Sequence, residues 1–95
     1  MNKLISVSAL SVLSLALVAC ASKPNPNLEQ AHSNYSSLIA QPQAQSLAGV
    51  ETKEAGDMLS RADQAYADKL PQVQVDQLAY LTNQRVEVAR QTLLM

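Results

Sequence analysis

The residue in this sequence whose type and position point most clearly to chemistry is its single cysteine, Cys20. It follows an apolar run interrupted by serines, from Leu4 to Ala19, and it precedes the polar segment ASKPNPN at residues 21–27. A single cysteine cannot form a disulfide within the chain, so in an oxidising compartment its thiol needs another fate. The chemistry expected at this position is therefore modification of the thiol.

The residues before Cys20 have the parts of a secretory signal, with Lys3 near the start, a short apolar stretch, and small residues before a cleavage site. The apolar run has 16 residues, fewer than the roughly 20 that a helix needs to cross the hydrocarbon core. An uncleaved signal anchor is the alternative interpretation. The tetrapeptide Leu17-Val18-Ala19-Cys20 favours cleavage, because it resembles the lipobox of bacterial lipoprotein signals.

The lipobox resemblance implies that residues 1–19 are removed and that Cys20 carries a thioether-linked diacylglycerol and an acylated amino terminus, with palmitate among the acyl groups. Two or more acyl chains anchor a protein stably in a membrane, whereas one binds only marginally. Residues 20–26 then form a lipid-anchored spacer. Ala21 and Ser22 follow the cysteine in place of Asp. In lipoproteins of Gram-negative bacteria this implies export to the cell outer membrane, on its periplasmic face.

The composition limits both the core and the partners of the chain. None of the 95 residues is Phe or Trp, and alanine supplies much of the apolar content after the signal. A chain of this length forms one domain, with a thin core built by close approach of helices. Once Lys3 leaves with the signal, six basic residues remain against eight acidic ones. This balance provides no basic surface for nucleic acid, which is therefore not an expected partner.

After the spacer, the spacing of apolar residues predicts an all-α domain over residues 27–95, either an antiparallel helical hairpin or a small three-helix unit. The helices are expected at about residues 27–40, 50–69 and 72–93. Asn27 is the expected cap of the first helix, with Gln30 completing a capping box. Pro42 ends that helix, and residues 42–49 are expected to form a helical turn or a short helix that closes at Gly49.

The second and third predicted helices carry apolar rows that suit an antiparallel hairpin. The second has a narrow seam of small residues at seven-residue intervals. Another copy of the chain or an envelope protein is a candidate partner for this seam. The seam and its flanking row consist of Ala48, Glu51, Ala55, Met58, Leu59, Ala62, Ala65 and Tyr66. The third helix has one apolar face, formed by Val75, Leu78, Ala79, Thr82, Val86, Ala89 and Leu93. Gly56, inside the seam, is interpreted as a neutral surface position in preference to a hinge.

A polar cluster on the third helix is the candidate interaction patch of the sequence. Asp76, Tyr80 and Gln84 follow one another at intervals of four, and Arg85 adjoins them. One interpretation is a recognition patch for a partner protein. The alternative is structural, with a buried Tyr80 hydroxyl bonded within the hairpin and Arg85 paired to an acid on the second helix.

Residues 75–90, VDQLAYLTNQRVEVAR, resemble a run in a family of small alanine-rich bacterial lipoprotein domains of unknown function, which often precede an OmpA-like peptidoglycan-binding domain. Relatives carry a pattern like V-D/E-H-L-A-Y-L-A-x-Q-R-V-x-I-A. The matching residues are Val75, Asp76, Leu78, Ala79, Tyr80, Leu81, Gln84, Arg85, Val86 and Ala89. Gln77 replaces the usual His. The resemblance covers roughly residues 27–92, and since no OmpA-like domain is expected here, wall binding is not carried over.

No constellation of residues predicts catalysis, so the chain is not expected to be an enzyme or to take a cofactor, a metal or a small-molecule substrate. The sole histidine, His32, is expected at the surface, and a metal site needs several convergent donors. Asp57, Asp63 and Asp68 are expected on different faces of one helix. The function expected is that of an outer-membrane-anchored periplasmic lipoprotein with a structural or protein-interaction role. The alternative is an accessory or regulatory subunit that docks on an envelope enzyme or transporter.

Overall fold

The computed structural model describes residues 24–95, and all regular structure within them is helical. The helices are α1 (Pro26–Ile39), α2 (Gln43–Leu47), α3 (Gly49–Ala67) and α4 (Gln72–Leu94). The predicted all-α fold is thus confirmed. The predicted signal peptide and lipobox, including Cys20, lie outside the described residues.

The cap of helix α1 lies two residues earlier than the sequence predicted. Asn25, not Asn27, is the cap, and its side-chain Oδ1 accepts a hydrogen bond of 2.9 Å from the backbone N–H of Leu28. Pro26 occupies the first helical position, which it suits because its fixed φ is helical and that position needs no N–H donor. The predicted capping box is wrong, since Gln30 donates instead to the Asn34 side chain one turn later.

The expected short helix between α1 and α3 is present as α2, but it ends at Leu47 and not at Gly49. Gly49 is the first residue of α3. Helix α2 is tied to α3 by Thr52, whose hydroxyl donates to the carbonyl oxygen of Ala44 at 3.2 Å. Ala44 and Thr52 are both buried.

The turn from α3 to α4 ends α3 two residues before the predicted boundary. Lys69 has a φ of 59°, the left-handed conformation. Its N–H donates to the carbonyl of Tyr66, and the N–H of Leu70 donates to the carbonyl of Ala65. These two bonds define a Schellman motif, in which the left-handed position is usually glycine. A lysine there carries the steric cost that glycine avoids.

The core consists mainly of alanine. Within residues 24–95, thirteen apolar residues are buried and eight of them are alanine. They form two clusters, one near the α3–α4 turn and one at the opposite end, and Tyr35 contacts both. The first cluster comprises Leu28, Ala31, Leu59, Ala62, Ala65, Val75 and Ala79. The second comprises Leu38, Ala44, Ala48, Ala55, Val86 and Ala89.

The predicted small-residue seam lies inside the molecule. Its alanines are buried between α3 and α4, the two helices with the most extensive mutual packing. Gly56 is not the neutral surface position expected, because a Cβ there lies only 2.8 Å from the Tyr35 hydroxyl oxygen. Glycine at this point lets the tyrosine of α1 lie against the backbone of α3.

The relative directions of the three long helices give the domain two distinct ends. Side chains near the start of α1 meet the start of α4, and Asn34 donates to Asn83 at 2.9 Å, so α1 and α4 are parallel. Helix α3 is antiparallel to both. The first described residues therefore lie beside the α3–α4 turn, at what we call the turn end, and Met95 and α2 lie towards the opposite end.

Replacing Lys69 by glycine should stabilise the fold, because glycine adopts the left-handed conformation without the Cβ clash. We expect Lys69→Gly to raise the free energy of unfolding by about 1 kcal/mol. Lys53→Gly is the control, because Lys53 lies in the interior of α3, and it should lower that free energy by about 1 kcal/mol through helix propensity and slightly further through loss of its exposed pair with Asp57. Urea denaturation followed by circular dichroism measures both. Equal losses in the two variants contradict the assigned turn geometry.

Candidate functional site

Asn25 is the point at which the segment that begins at Cys20 is attached to the helical domain. Its side chain is 4% exposed and uses three hydrogen-bonding positions. Besides capping α1 through Oδ1, its Nδ2 donates to Gln72 Oε1 at 2.6 Å and to Asp76 Oδ1 at 3.0 Å. An amide group offers two N–H donors and one acceptor oxygen, so every polar atom of this side chain is used. We call Asn25, Gln72 and Asp76 the Asn25 clamp.

The Asn25 clamp shortens the spacer expected over residues 20–26. Asn25 is buried and Pro26 is helical, so the last two residues of that segment belong to the folded domain. The apolar periodicity that predicts the helices gives no indication of this clamp. The signal available was the dipeptide Asn25-Pro26, a capping residue followed by proline at the first helical position.

The ionised form of the Asp76 side chain is stabilised by two asparagines at the start of α1. Hydrogen bonds from the side chains of Asn27 and Asn25 hold the pKa of Asp76 below its ordinary value of 3.8, against a smaller opposing effect of desolvation. The ionised form is therefore favoured in the folded state. This contribution to stability is present above the ordinary pKa and is lost as the pH falls through the lowered folded-state value.

The structure divides the predicted interaction patch. Asp76 faces the start of α1, whereas Arg85 lies about half a turn away around α4 and pairs with Glu54 of α3 at 2.9 Å. The expected pairing of Arg85 with an acid on the preceding long helix is confirmed. The expected burial of the Tyr80 hydroxyl is wrong, because Tyr80 is 59% exposed and receives a hydrogen bond of 2.7 Å from Gln84.

The remaining ion pairs are at the surface. His32 lies at the surface as predicted and contacts Asp63 Oδ1 through Nε2 at 2.6 Å, with both side chains about half exposed. Lys53 pairs with Asp57 on α3, and hydrogen bonding to Asp57 raises the pKa of Lys53. Exposed pairs contribute about 0–1 kcal/mol each. Among residues 24–95, no group of three or more His, Cys, Asp or Glu side chains could hold a metal ion.

The outward face of α4 carries a row of uncovered side chains. The row alternates apolar and amide residues along the whole helix, and we call it the outer stripe. It consists of Val73, Gln77, Tyr80, Gln84, Val88, Gln91 and Met95. All seven are exposed, and the apolar members range from 51% for Val88 to 98% for Met95. The stripe lies on the side of α4 opposite the buried row of Val75, Ala79, Thr82, Val86 and Ala89.

The family comparison covers this helical domain. A family model described as a domain of unknown function, DUF4398, matches residues 26–93. The chain belongs to this family. The DUF4398 match confirms the small domain of unknown function expected from residues 75–90, and it begins directly after Asn25. The lipobox and the link to OmpA-like domains stay predictions.

No curated protein and no solved structure matches the chain significantly. Within residues 24–95, none of the DUF4398 helices is long and apolar enough to cross a membrane.

The two roles of Asn25 can be separated by substitution. Asn25→Asp keeps a good helix cap but removes both donors and places a second carboxylate beside Asp76. Asn25→Ala removes the cap as well, and we expect it to lower the free energy of unfolding by about 2 kcal/mol at pH 7, because one cap and two further hydrogen bonds are lost. Chemical denaturation across pH measures both variants.

The pH dependence distinguishes the clamp from a simple cap. Asn25→Asp should be destabilised at pH 7 and recover relative to wild type as the pH falls towards 3, since protonation of either carboxyl removes the repulsion. Asn25→Ala should recover less, because wild type loses only its own Asn25–Asp76 contribution on acidification and the missing helix cap persists at every pH. Equal stability of wild type and Asn25→Asp at pH 7 contradicts the assigned contact with Asp76.

Proposed function

We propose that this DUF4398 protein is an outer-membrane-anchored lipoprotein of the periplasm, with a structural or protein-interaction role in the cell envelope. The lipobox-like residues Leu17, Val18 and Ala19 before Cys20 support cleavage and acylation. Acylation also gives the single thiol a stable fate, because a thioether neither oxidises to a disulfide nor exchanges with one. The proposal assigns the chain no catalytic step.

The observation that carries the proposal is the short distance along the chain between Cys20 and the Asn25 clamp. Only five peptide units separate the two residues, so their Cα atoms lie at most about 18 Å apart. Asn25 is held against Gln72 and Asp76 at the start of α4. A lipid anchor at Cys20 therefore keeps the turn end of the domain near the membrane surface.

This geometry favours a fixed orientation of the domain. A long flexible linker lets a domain tumble, whereas the four residues 21–24 between Cys20 and Asn25 can only keep the domain close to its anchor. Helix α4 has 23 residues and a length of about 34 Å. Its far end, near Met95, thus projects into the periplasm, where partner proteins can reach the exposed face of α4.

Metabolic labelling tests the anchor directly. The full chain is expressed in a Gram-negative host with an alkyne analogue of palmitate, and the label is read on the purified protein. We expect label on the wild-type chain and complete loss of label in Cys20→Ser. Absence of label on wild type overturns the proposal.

Fractionation of the membranes tests the sorting. The labelled wild-type chain should sediment with the outer membrane. Ala21→Asp is the matched variant, because it changes the residue after the lipidated cysteine and leaves the lipobox intact. It should keep the label and move to the inner membrane. Wild-type protein that is labelled but found in the inner membrane supports the anchor and contradicts the location.

A further inference from the structure

We propose that the outer stripe of α4 is a surface on which a second copy of this chain packs side by side and in the same direction. The association of two copies follows from the described residues. The parallel direction rests on the lipid anchor proposed above.

The spacing of the stripe suits a contact along the entire helix. Val73, Gln77, Tyr80 and Gln84 are separated by four, three and four residues, and the same intervals lead from Gln84 to Met95. The intervals, though not the residue types, therefore repeat every 11 residues, which corresponds to about 3.67 residues per turn. This value is close to the 3.6 of an undistorted α-helix. Two straight copies of α4 can therefore keep their stripes in contact over six turns, with only a slight right-handed crossing.

The chemistry of the stripe is self-complementary. Its seven members are uncharged, and the three amides alternate with apolar side chains. A glutamine amide is both donor and acceptor, so Gln77, Gln84 and Gln91 can each pair with the same residue of another copy. The acids beside the stripe, Asp76 and Glu87, already accept hydrogen bonds within their own chain, from Asn25 and Gln91.

The anchor fixes the relative direction of the two copies. Each turn end lies within about 18 Å of an acylated Cys20, through the extended length of five residues. Two copies in one membrane leaflet therefore both point their α4 C-terminal ends away from the lipid. In that arrangement each stripe residue meets its own equivalent, which is the pairing that the amide pattern favours.

The area of the stripe indicates where association takes place. A strip about 10 Å wide and about 34 Å long covers about 340 Å² on each copy, less than half of the roughly 800 Å² per partner in a standard stable complex. In dilute solution this contact is weak. Confinement to a membrane raises the effective concentration and restricts the orientations, so we expect dimers in the membrane and monomers in dilute detergent.

Disulfide cross-linking in intact membranes tests the proposal with the full chain. Single cysteines are introduced as Gln77→Cys, Gln84→Cys and Gln91→Cys, and mild oxidant is added to membranes that contain the palmitate label. A disulfide needs Cα atoms about 4.4–6.8 Å apart. We expect all three variants to form same-residue dimers, about tenfold more than the exposed control Ser60→Cys on α3. Wild type, whose Cys20 is acylated, should form none.

A second substitution shows whether the contact depends on the stripe. Tyr80 is largely exposed, so Tyr80→Glu leaves the fold intact, and circular dichroism verifies this. Combined with Gln84→Cys, it should abolish the dimer by placing two carboxylates opposite each other. Persistence of the dimer in the double variant overturns the assigned surface.

The outcomes separate this proposal from the anchor. Cross-linking of Gln84→Cys alone indicates antiparallel copies and overturns the parallel direction. Labelled protein with no cross-links above the control overturns the association but leaves the anchor. Cross-links to a different protein in place of dimers overturn the proposal and favour the accessory-subunit function. Unlabelled variants that dimerise more than unlabelled wild type, in which Cys20 is a free thiol, overturn the anchor alone.

Discussion

Close approach of the helices is the constraint on which the rest of this structure depends. Most of the buried apolar side chains among the described residues are single methyl groups. Such side chains exclude water and gain dispersion energy only when the backbones behind them are in near contact. This explains why α4 packs against both α3 and α1. It also explains why position 56 is glycine, since a Cβ there would collide with the Tyr35 hydroxyl. A core of larger side chains would tolerate wider spacing, whereas this one does not.

Because the core is thin, polar contacts at its edge do much to fix the helices relative to one another. Asn25 fixes the start of α1 against α4, Thr52 fixes α2 against α3, and the Schellman motif at Lys69 closes the hairpin. The Asn25 bonds to α4 join residues far apart in the sequence, whereas the Schellman bonds are local to the turn. The Asn25 clamp has the added consequence that the start of α1 is hydrogen-bonded directly to the start of α4.

The sequence predicted what periodicity can predict and missed what depends on single hydrogen bonds. The three long helices follow from apolar spacing, and the buried rows of α3 and α4 agree with the predicted faces. Asparagine is a good cap at either position, so residue type does not separate Asn25 from Asn27, and only the preference of Pro26 for the first helical position favours Asn25. The end of α3 was missed because a lysine in the left-handed conformation has no sequence signature. The interaction patch was drawn from intervals of four along α4, which do not show that neighbouring helices face Asp76 and Arg85 from opposite sides.

The central claim is that a short connection from Cys20 to Asn25 holds the turn end of the domain at the membrane. Depth-dependent fluorescence quenching tests it most directly, on acylated chains in vesicles whose lipid headgroups carry a quencher. A fluorophore is attached to Lys69→Cys at the turn end or to Met95→Cys at the far end of α4. The account predicts strong quenching at position 69 and little at position 95, since α4 separates them by about 34 Å. Equal quenching at the two positions, or stronger quenching at position 95, contradicts it.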